Sequence, residues 1–219
     1  MNFPYVLPDG SFSCEKVCDS EECKRLLSTF EATCEAGKGL EKYLTRDAII
    51  ETRDHVSTTY IVFDRLHEMC GYFTLKTAIL PRFEQLPEES DLDIQFDEET
   101  DRESSVEYTD SAIELVNFAR NGAFSNSTNC KEEITTAMFY GFILDIVKAI
   151  NEYVAVNYLI IHAIDKRLVK YYQDNYGFSE FELNSSETEN IKRHIRPVYD
   201  DGATFMALDL SDLYKIRSL

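Results

Sequence analysis

The sequence lacks three features that would each define its class. No apolar run approaches the roughly eighteen residues of a membrane-spanning helix. The start, MNFPYVLPDGSFSCEKVCDSEE, has neither the basic residues nor the apolar stretch of a signal peptide. The six cysteines include no Cys-x-x-Cys pair and no Cys/His spacing typical of zinc. We therefore expect a cytoplasmic protein with reduced thiols, no bound metal and no membrane contact.

Basic residues are also scarce. The chain has 22 Lys and Arg against 40 Asp and Glu, a net charge of −18, which opposes binding to a phosphate backbone and disfavours nucleic acid as a partner. The segment from Glu88 to Asp110 alone holds eleven acidic residues and one arginine. We predict a single domain over residues 1–219 with an acidic insertion or loop over 84–111. That insertion is either a solubilising linker or an acidic lip that attracts cationic substrates.

The hydrophobic pattern predicts a mixed α/β fold. Two short helices are expected over Ser20–Phe30 and Leu40–Glu51, followed by an antiparallel hairpin of Thr58–Asp64 and Met69–Leu80. Further along, the predicted elements are a strand over Ala112–Arg120, a long helix within EEITTAMFYGFILDIVKAINEYVA, a strand over Tyr158–Ile164, and a closing strand pair in GFSEFEL and ATFMALDL. The strand, helix and strand in the middle form a βαβ unit, so its two strands should be parallel.

The long helix and the one after it both show apolar faces. In the long helix that face is expected to consist of Phe139, Phe142, Ile143, Ile146, Ile150 and Tyr153. In the next helix Asp165 is the predicted N-cap and Gly177 the left-handed stop. Leu168, Tyr172 and Tyr176 recur at intervals of four residues between them, which predicts that Tyr172 faces inward and its neighbour Tyr171 does not.

Several short motifs, in this order, resemble the GNAT superfamily of N-acetyltransferases. LEKYLTRDA at Leu40–Ala48 is similar to L-x-x-[FY]-L-x-x-D-A, STTY at Ser57–Tyr60 to S-x-T-Y, and GYFTL at Gly71–Leu75 to G-[FY]-[FY]-x-L. YYQDNYGF resembles a Y-x-x-x-G-F ending, although it is one residue longer when counted from Tyr172. These patterns are typical of the subgroup that contains acetyltransferase toxins of toxin–antitoxin pairs and their stand-alone bacterial relatives.

The resemblance implies a mostly antiparallel sheet with a splayed parallel pair and helices on both faces. It also implies acetyl-CoA as co-substrate, with its pantetheine arm beside Phe118, Ala119 and Arg120. The pyrophosphate would lie at the start of the long helix, where free amide groups and the helix dipole favour anions. Here EEITTA departs from the family pattern [QR]-x-x-G-x-[GA], because only Ala137 fits and Glu132 and Glu133 oppose the phosphates. The residues left to help are Lys131, Thr135 and Thr136.

The chemistry implied is direct attack of an amine on the thioester, with a tyrosine protonating the departing thiolate. Tyr172 is the candidate acid, with Tyr171 open because of the extra residue, and a core tyrosine with a satisfied hydroxyl is the structural alternative. Glu114 is the candidate base, and an exposed strand glutamate is the alternative.

Three functions follow. The first is an N-acetyltransferase acting on a cationic primary amine such as a polyamine, a basic peptide or a protein lysine. The second, a toxin acting on aminoacyl-tRNA, is weakened by the net charge. The third is a degenerate GNAT fold that serves as an acidic protein-interaction module. A homodimer is left open.

Overall fold

A computed structural model describes residues 5–6, 12–83, 106–125, 136–181 and 203–211. Eight strands and six α-helices are found in these ranges. The strands are β1 (Tyr5–Val6), β2 (Phe12–Lys16), β3 (Thr58–Asp64), β4 (Met69–Phe83), β5 (Val106–Arg120), β6 (Tyr158–Ala163), β7 (Ser179–Glu180) and β8 (Thr204–Asp209). The helices are α1 (Glu21–Leu27), α2 (Lys38–Arg46), α3 (Ala48–Arg53), α4 (Gly122–Ser125), α5 (Thr136–Asn151) and α6 (Lys166–Tyr176).

The chain divides into two compact units, one of residues 1–77 and 113–156 and the other of residues 78–112 and 157–219. The strand order is β1-β2-β3-β4-β5 in the first unit and β4-β5-β6-β8-β7 in the second, because β4 and β5 contribute to both. None of the helices in the described ranges is long and apolar enough to cross a membrane.

The sheet is mostly antiparallel with one parallel pair. The strands from β1 to β4 pair antiparallel, as do β6 with β8 and β7 with β8. Contacts between β4 and β5 also run in opposite directions, since Gly71 lies beside Ala119 whereas Arg82 pairs with Asp110. The parallel pair is therefore β5 and β6, and the Asn157 N–H just before β6 donates to the Ser111 carbonyl of β5 at 3.0 Å. The predicted fold class is confirmed.

In the first unit, helices cover both faces of the sheet. Side chains of α1, α2 and α3 pack with residues of β3 and β4 on one face, in a core of Val17, Cys23, Leu27, Phe30, Leu44, Ala48, Ile61, Phe63, Met69 and Tyr72. On the opposite face Phe139 of α5 makes an edge contact with Phe73, with ring centroids 6.2 Å apart. Because side chains alternate across a strand, Tyr72 and Phe73 serve the two separate cores.

The second unit has a hydrophobic core of its own. Leu80 of β4, Ala112 of β5 and Ile160 of β6 are buried together, and Phe181 and Phe205 pack against them. The partly buried Arg82 joins this cluster: its Nε donates to Asp110 at 2.9 Å and its Nη2 to the Tyr158 hydroxyl at 2.6 Å. An arginine is stable there because both the carboxylate and the phenol accept its hydrogen bonds.

The structure corrects some predicted details. The helix expected over Leu40–Glu51 is two helices, α2 and α3, which meet at Asp47. The core face of α5 is right for Phe139, Phe142, Ile143 and Ile146, which are fully buried, whereas Tyr153 lies beyond the helix end and is 74% exposed. β5 begins at Val106, so the last residues of the acidic segment belong to a strand.

Candidate active site

Motif residues of α2 and at the start of β3 form one hydrogen-bonded network with Glu51 of α3. The Tyr43 hydroxyl and the Ser57 hydroxyl both donate to Glu51 Oε2, at 2.9 and 2.8 Å. Thr59 Oγ1 lies 3.5 Å from the Tyr43 hydroxyl and 2.9 Å from Thr74 Oγ1. Because each of these polar atoms has a protein partner, the LEKYL and STTY motifs join α2 to the sheet.

The GYFTL motif has a different structural role. A Cβ added at Gly71 would lie 2.4 Å from the Ala119 carbonyl oxygen and 2.7 Å from the Phe139 ring. Only glycine lets β5 and α5 approach this closely. The next residue, Tyr72, packs its ring on Phe30 and donates its hydroxyl to the Leu40 carbonyl at 2.7 Å.

The end of β5 holds the three residues proposed for the pantetheine arm. Phe118, Ala119 and Arg120 are half-buried, and the Phe118 ring lies 5.0 Å from that of Phe139. They share this strand end with the close approach at Gly71. Packing against Gly71 and Phe139 therefore holds this end of the strand in place. Its role in binding acetyl-CoA stays a prediction.

Sequence reasoning missed Asn121, the residue that follows this strand end. Its side chain is only 4% exposed and satisfies three backbone groups. Its Oδ1 accepts from the Glu31 and Ala123 N–H groups at 3.0 and 3.1 Å, and its Nδ2 donates to the Met69 carbonyl at 2.9 Å. No motif marked it, although a buried asparagine directly after a strand typically serves as a local cap.

Glu114 is buried, at 3% exposure, so the alternative of an exposed strand glutamate is wrong. Its Oε2 lies 3.6 Å from Nζ of Lys76, whose side chain is also largely covered. A buried carboxylate is stable only with such a partner. Catalysis by Glu114 stays a prediction.

The helix α6 forms as predicted. Asp165 is the N-cap, accepting from the Arg167 N–H at 2.8 Å, and Gly177 ends the helix with a φ of 73°. The buried face is different in one respect: Val169 is buried, and Leu168 is 43% exposed. Leu168 therefore does not mark the inward side. Val169, Tyr172 and Tyr176 do, at intervals of three and four residues.

The two adjacent tyrosines of α6 differ in their hydroxyl groups. The Tyr171 hydroxyl lies 3.1 Å from that of Tyr176, and its side chain is 37% exposed. Tyr172 is half-buried, with its ring 5.8 Å from Phe178. Its hydroxyl makes no hydrogen bond to any residue in the described ranges. Burial, and then the neighbouring Tyr171, raise the pKa of Tyr172, so the phenol stays protonated at neutral pH.

Most of the residues proposed for the phosphate site lie outside the described ranges. Lys131 and Thr135 lie outside the described residues, as do Glu132 and Glu133. Thr136 and Ala137 form the first described residues of α5, where only the backbone is described. The role of these residues in binding acetyl-CoA stays a prediction.

Solved structures with the same fold cover nearly the whole chain. A tyrosine-to-phenylalanine mutant of the toxin AtaT, bound to the C-terminus of the antitoxin AtaR and to acetyl-CoA, is 13% identical over 95% of this chain and 99% of its own, with a TM-score of 0.57. AtaT complexed with acetyl-methionyl-tRNAfMet is 15% identical over 94% and 99%, with a TM-score of 0.59. A tyrosine-to-phenylalanine mutant of KacT is 11% identical over 94% and 99%, with a TM-score of 0.52.

The chain has a GNAT fold. At these identities the likeness concerns the GNAT fold alone, and it confirms the resemblance that the motifs indicated. No protein-family model matches the sequence, and no curated protein matches it. The GNAT fold is therefore recognised through topology and through a few spaced motif residues.

Proposed function

We propose that this chain is an N-acetyltransferase that moves the acetyl group of acetyl-CoA to a primary amine. The observation that carries the proposal is the match, over 95% of the chain, to AtaT with acetyl-CoA bound. Folds alone do not fix function, so the residues at the candidate site must supply the rest.

The pantetheine arm would extend along the end of β5, beside Phe118, Ala119 and Arg120. Such an arm adds to a strand through backbone hydrogen bonds and needs a backbone held in one position. Gly71 and Phe139 support this by packing directly against the strand end. The side chains of these three residues matter less, because the arm would bind to backbone groups.

Tyr172 is the proposed general acid. The amine nitrogen attacks the thioester carbonyl carbon, the carbon–sulfur bond breaks, and the phenol proton passes to the departing thiolate. The Tyr172 hydroxyl has no hydrogen-bond partner in the described ranges and can donate its proton to the thiolate, whereas the Tyr171 hydroxyl is held 3.1 Å from that of Tyr176. Structures of AtaT and of KacT have been solved as tyrosine-to-phenylalanine mutants, which is consistent with a functional tyrosine in this fold.

Glu114 is the proposed base that takes the proton from the amine, directly or through water. The Lys76 ammonium group lies 3.6 Å from Glu114 Oε2 and forms an ion pair with it. Glu114→Gln keeps the shape and removes the proton acceptor, so turnover is expected to fall by about 10²-fold. Lys76→Met breaks the same ion pair and keeps the carboxylate. It is therefore the control for any loss of stability in Glu114→Gln.

A cationic acceptor suits the net charge of −18, because a negative surface attracts polyamines and basic peptides. One observation favours a second acceptor: AtaT is complexed with acetyl-methionyl-tRNAfMet. The amine of an aminoacyl-tRNA is therefore the second candidate. The charge of this chain works against it, since RNA binding requires a basic surface.

Calorimetry with millimolar acetyl-CoA tests the proposal first, with coenzyme A lacking the acetyl group as the matched ligand. Binding of acetyl-CoA is expected, followed by release of free thiol when an acceptor is added. Spermidine, a lysine-rich peptide and methionyl-tRNA are compared at equal amine concentration. The absence of both binding heat and a thermal shift would contradict the proposed enzyme activity. The degenerate GNAT fold that serves as an acidic protein-interaction module would then be the remaining hypothesis.

A further inference from the structure

Asn121 connects three parts of the first unit at the strand end where the acetyl-CoA arm is proposed. Besides the side-chain hydrogen bonds, its own N–H donates to the Cys70 carbonyl at 2.8 Å. The adjacent Gly122 N–H donates to the Glu31 carbonyl at 2.8 Å. The end of β5 is thereby bonded to the start of β4 and to the segment after α1.

The asparagine side chain suits this place because it both donates and accepts. Its Oδ1 takes the N–H groups of Glu31 and Ala123, and its Nδ2 gives a proton to the Met69 carbonyl. An aspartate carboxylate has the same size and plane but only accepts, so it cannot replace the donor to Met69 while it is ionised. Without the asparagine, backbone groups of three segments lose their partner at once.

We infer that Asn121 is a positioning residue for acetyl-CoA binding, which acts by holding the backbone of residues 118–120 in the geometry that the pantetheine arm requires. This inference rests on the proposed function. The mechanism needs only backbone position, because β-type addition of the arm depends on carbonyl and N–H groups being in register. Packing at Gly71 fixes Ala119 from one side, and the Asn121 hydrogen bonds fix the chain just beyond it.

Asn121→Asp is the decisive variant. The aspartate has the same shape and still accepts from Glu31 and Ala123, but its second oxygen faces the Met69 carbonyl where the amide nitrogen donated. The strand end should shift while the rest of the unit keeps its contacts. We expect the Kd and the KM for acetyl-CoA to rise about tenfold or more, with kcat at saturating acetyl-CoA within about threefold.

Thr52→Val is the matched control. Thr52 is also 4% exposed, and its Oγ1 accepts from the Thr59 N–H at 3.1 Å, far from β5 in sequence. Thr52→Val leaves the buried Thr59 N–H without this partner, so it should lower the melting temperature and leave the Kd for acetyl-CoA within about twofold. Asn121→Ser, which retains one donor and acceptor on a shorter side chain, should fall between Asn121→Asp and the wild type.

The outcomes separate the two proposals. Wild-type protein that binds no acetyl-CoA overturns the proposed function and the inference together. Wild-type binding with unchanged affinity in Asn121→Asp overturns the inference alone. Equal loss of affinity in Asn121→Asp and in Thr52→Val also overturns it, because general destabilisation then explains both. If Asn121→Asp does not fold, Asn121→Ser decides by the same comparison of KM with kcat.

Discussion

The two units place their inward-facing tyrosines in contrasting surroundings. In the first unit Tyr72 is buried, and its hydroxyl donates to the Leu40 carbonyl at 2.7 Å. In the second unit Tyr172 is half-buried, and its hydroxyl has no hydrogen-bond partner in the described ranges. A buried hydroxyl that donates to a backbone carbonyl stabilises the fold, whereas the half-buried Tyr172 hydroxyl contributes no such bond within the described ranges. The contrast separates a structural tyrosine from a candidate catalytic one.

The same contrast holds for the sequence motifs. Those of the first unit are explained by packing and hydrogen bonds: Tyr43 and Ser57 by the Glu51 carboxylate, Gly71 by the close approach of Phe139. The YYQDNYGF motif of the second unit is explained only in part, by the helix stop at Gly177. Motif residues that packing and hydrogen bonds do not explain are the better candidates for a functional role.

Gly71→Ala should have the largest effect on stability. Its new Cβ would clash with the Ala119 carbonyl oxygen and the Phe139 ring. Neither group can move without disturbing the packing of β5 or α5. We expect a loss of about 3 kcal/mol or more in the free energy of unfolding, measured by urea denaturation. Gly39→Ala is the matched control, because a Cβ there meets nothing within 4 Å. Equal stability of the two variants would contradict the close approach of β5 and α5.

Tyr172→Phe should have the largest effect on turnover among changes in the second unit. It keeps the ring and its contact with Phe178 and deletes only the proton donor. We expect kcat to fall by about 10²-fold, with the Kd for acetyl-CoA and the melting temperature nearly unchanged.

Tyr171→Phe is its control, and it should leave turnover nearly unchanged. It removes the hydroxyl that lies 3.1 Å from that of Tyr176. A reversed pattern in the two variants would assign the acid to Tyr171. Full activity in both would leave Tyr172 as a packing residue.

Much of the fold could be predicted because its signals are local. Strand β3 has the predicted bounds, Thr58 to Asp64, and α6 begins and ends at its predicted cap and stop. The break at Asp47 could not be read, because the apolar spacing continues through it. Leu168 was misplaced because four-residue spacing alone does not say which of two adjacent positions faces the core.

The candidate site was less predictable, because its contacts join distant parts of the chain. Burial of Glu114 depends on the pairing of β5 with β4, which no local pattern reports. Asn121 bonds to Glu31, ninety positions earlier, so its importance appears only in three dimensions. Gly71 was found through the family resemblance, whereas its physical reason needed the position of Phe139.

Tyr72→Phe sharpens the contrast between the two tyrosines from the structural side. It removes the hydrogen bond to the Leu40 carbonyl and leaves that oxygen without its tyrosine partner. We expect a loss of about 1–3 kcal/mol in the free energy of unfolding with kcat retained below the melting temperature. Tyr172→Phe should show the opposite pair of results. A fall in kcat for Tyr72→Phe without loss of stability would contradict the assignment.

The last prediction is a loss of stability at alkaline pH, and it arises in the first unit. Burial raises the pKa of Cys14 from 9.0 to about 12, and burial, with the nearby Cys14 thiol, raises the pKa of Tyr60 from 10.0 to about 12. Both groups bind their protons more tightly in the folded state than in the unfolded chain. The stability that this provides is complete below pH 9 and is lost as the pH rises towards 12.

Each such group lowers the free energy of unfolding by about 1.4 kcal/mol per pH unit once its unfolded form has ionised. Urea denaturation at intervals between pH 8 and about pH 11 measures the decline. Cys14→Ala removes the thiol without adding charge, so its stability should be lower at neutral pH, because a cavity forms, but should decline less steeply above pH 9. Parallel declines in the wild type and in Cys14→Ala would show that the Cys14 thiol ionises over the same pH range in the folded and the unfolded protein, and would contradict its burial beside Tyr60.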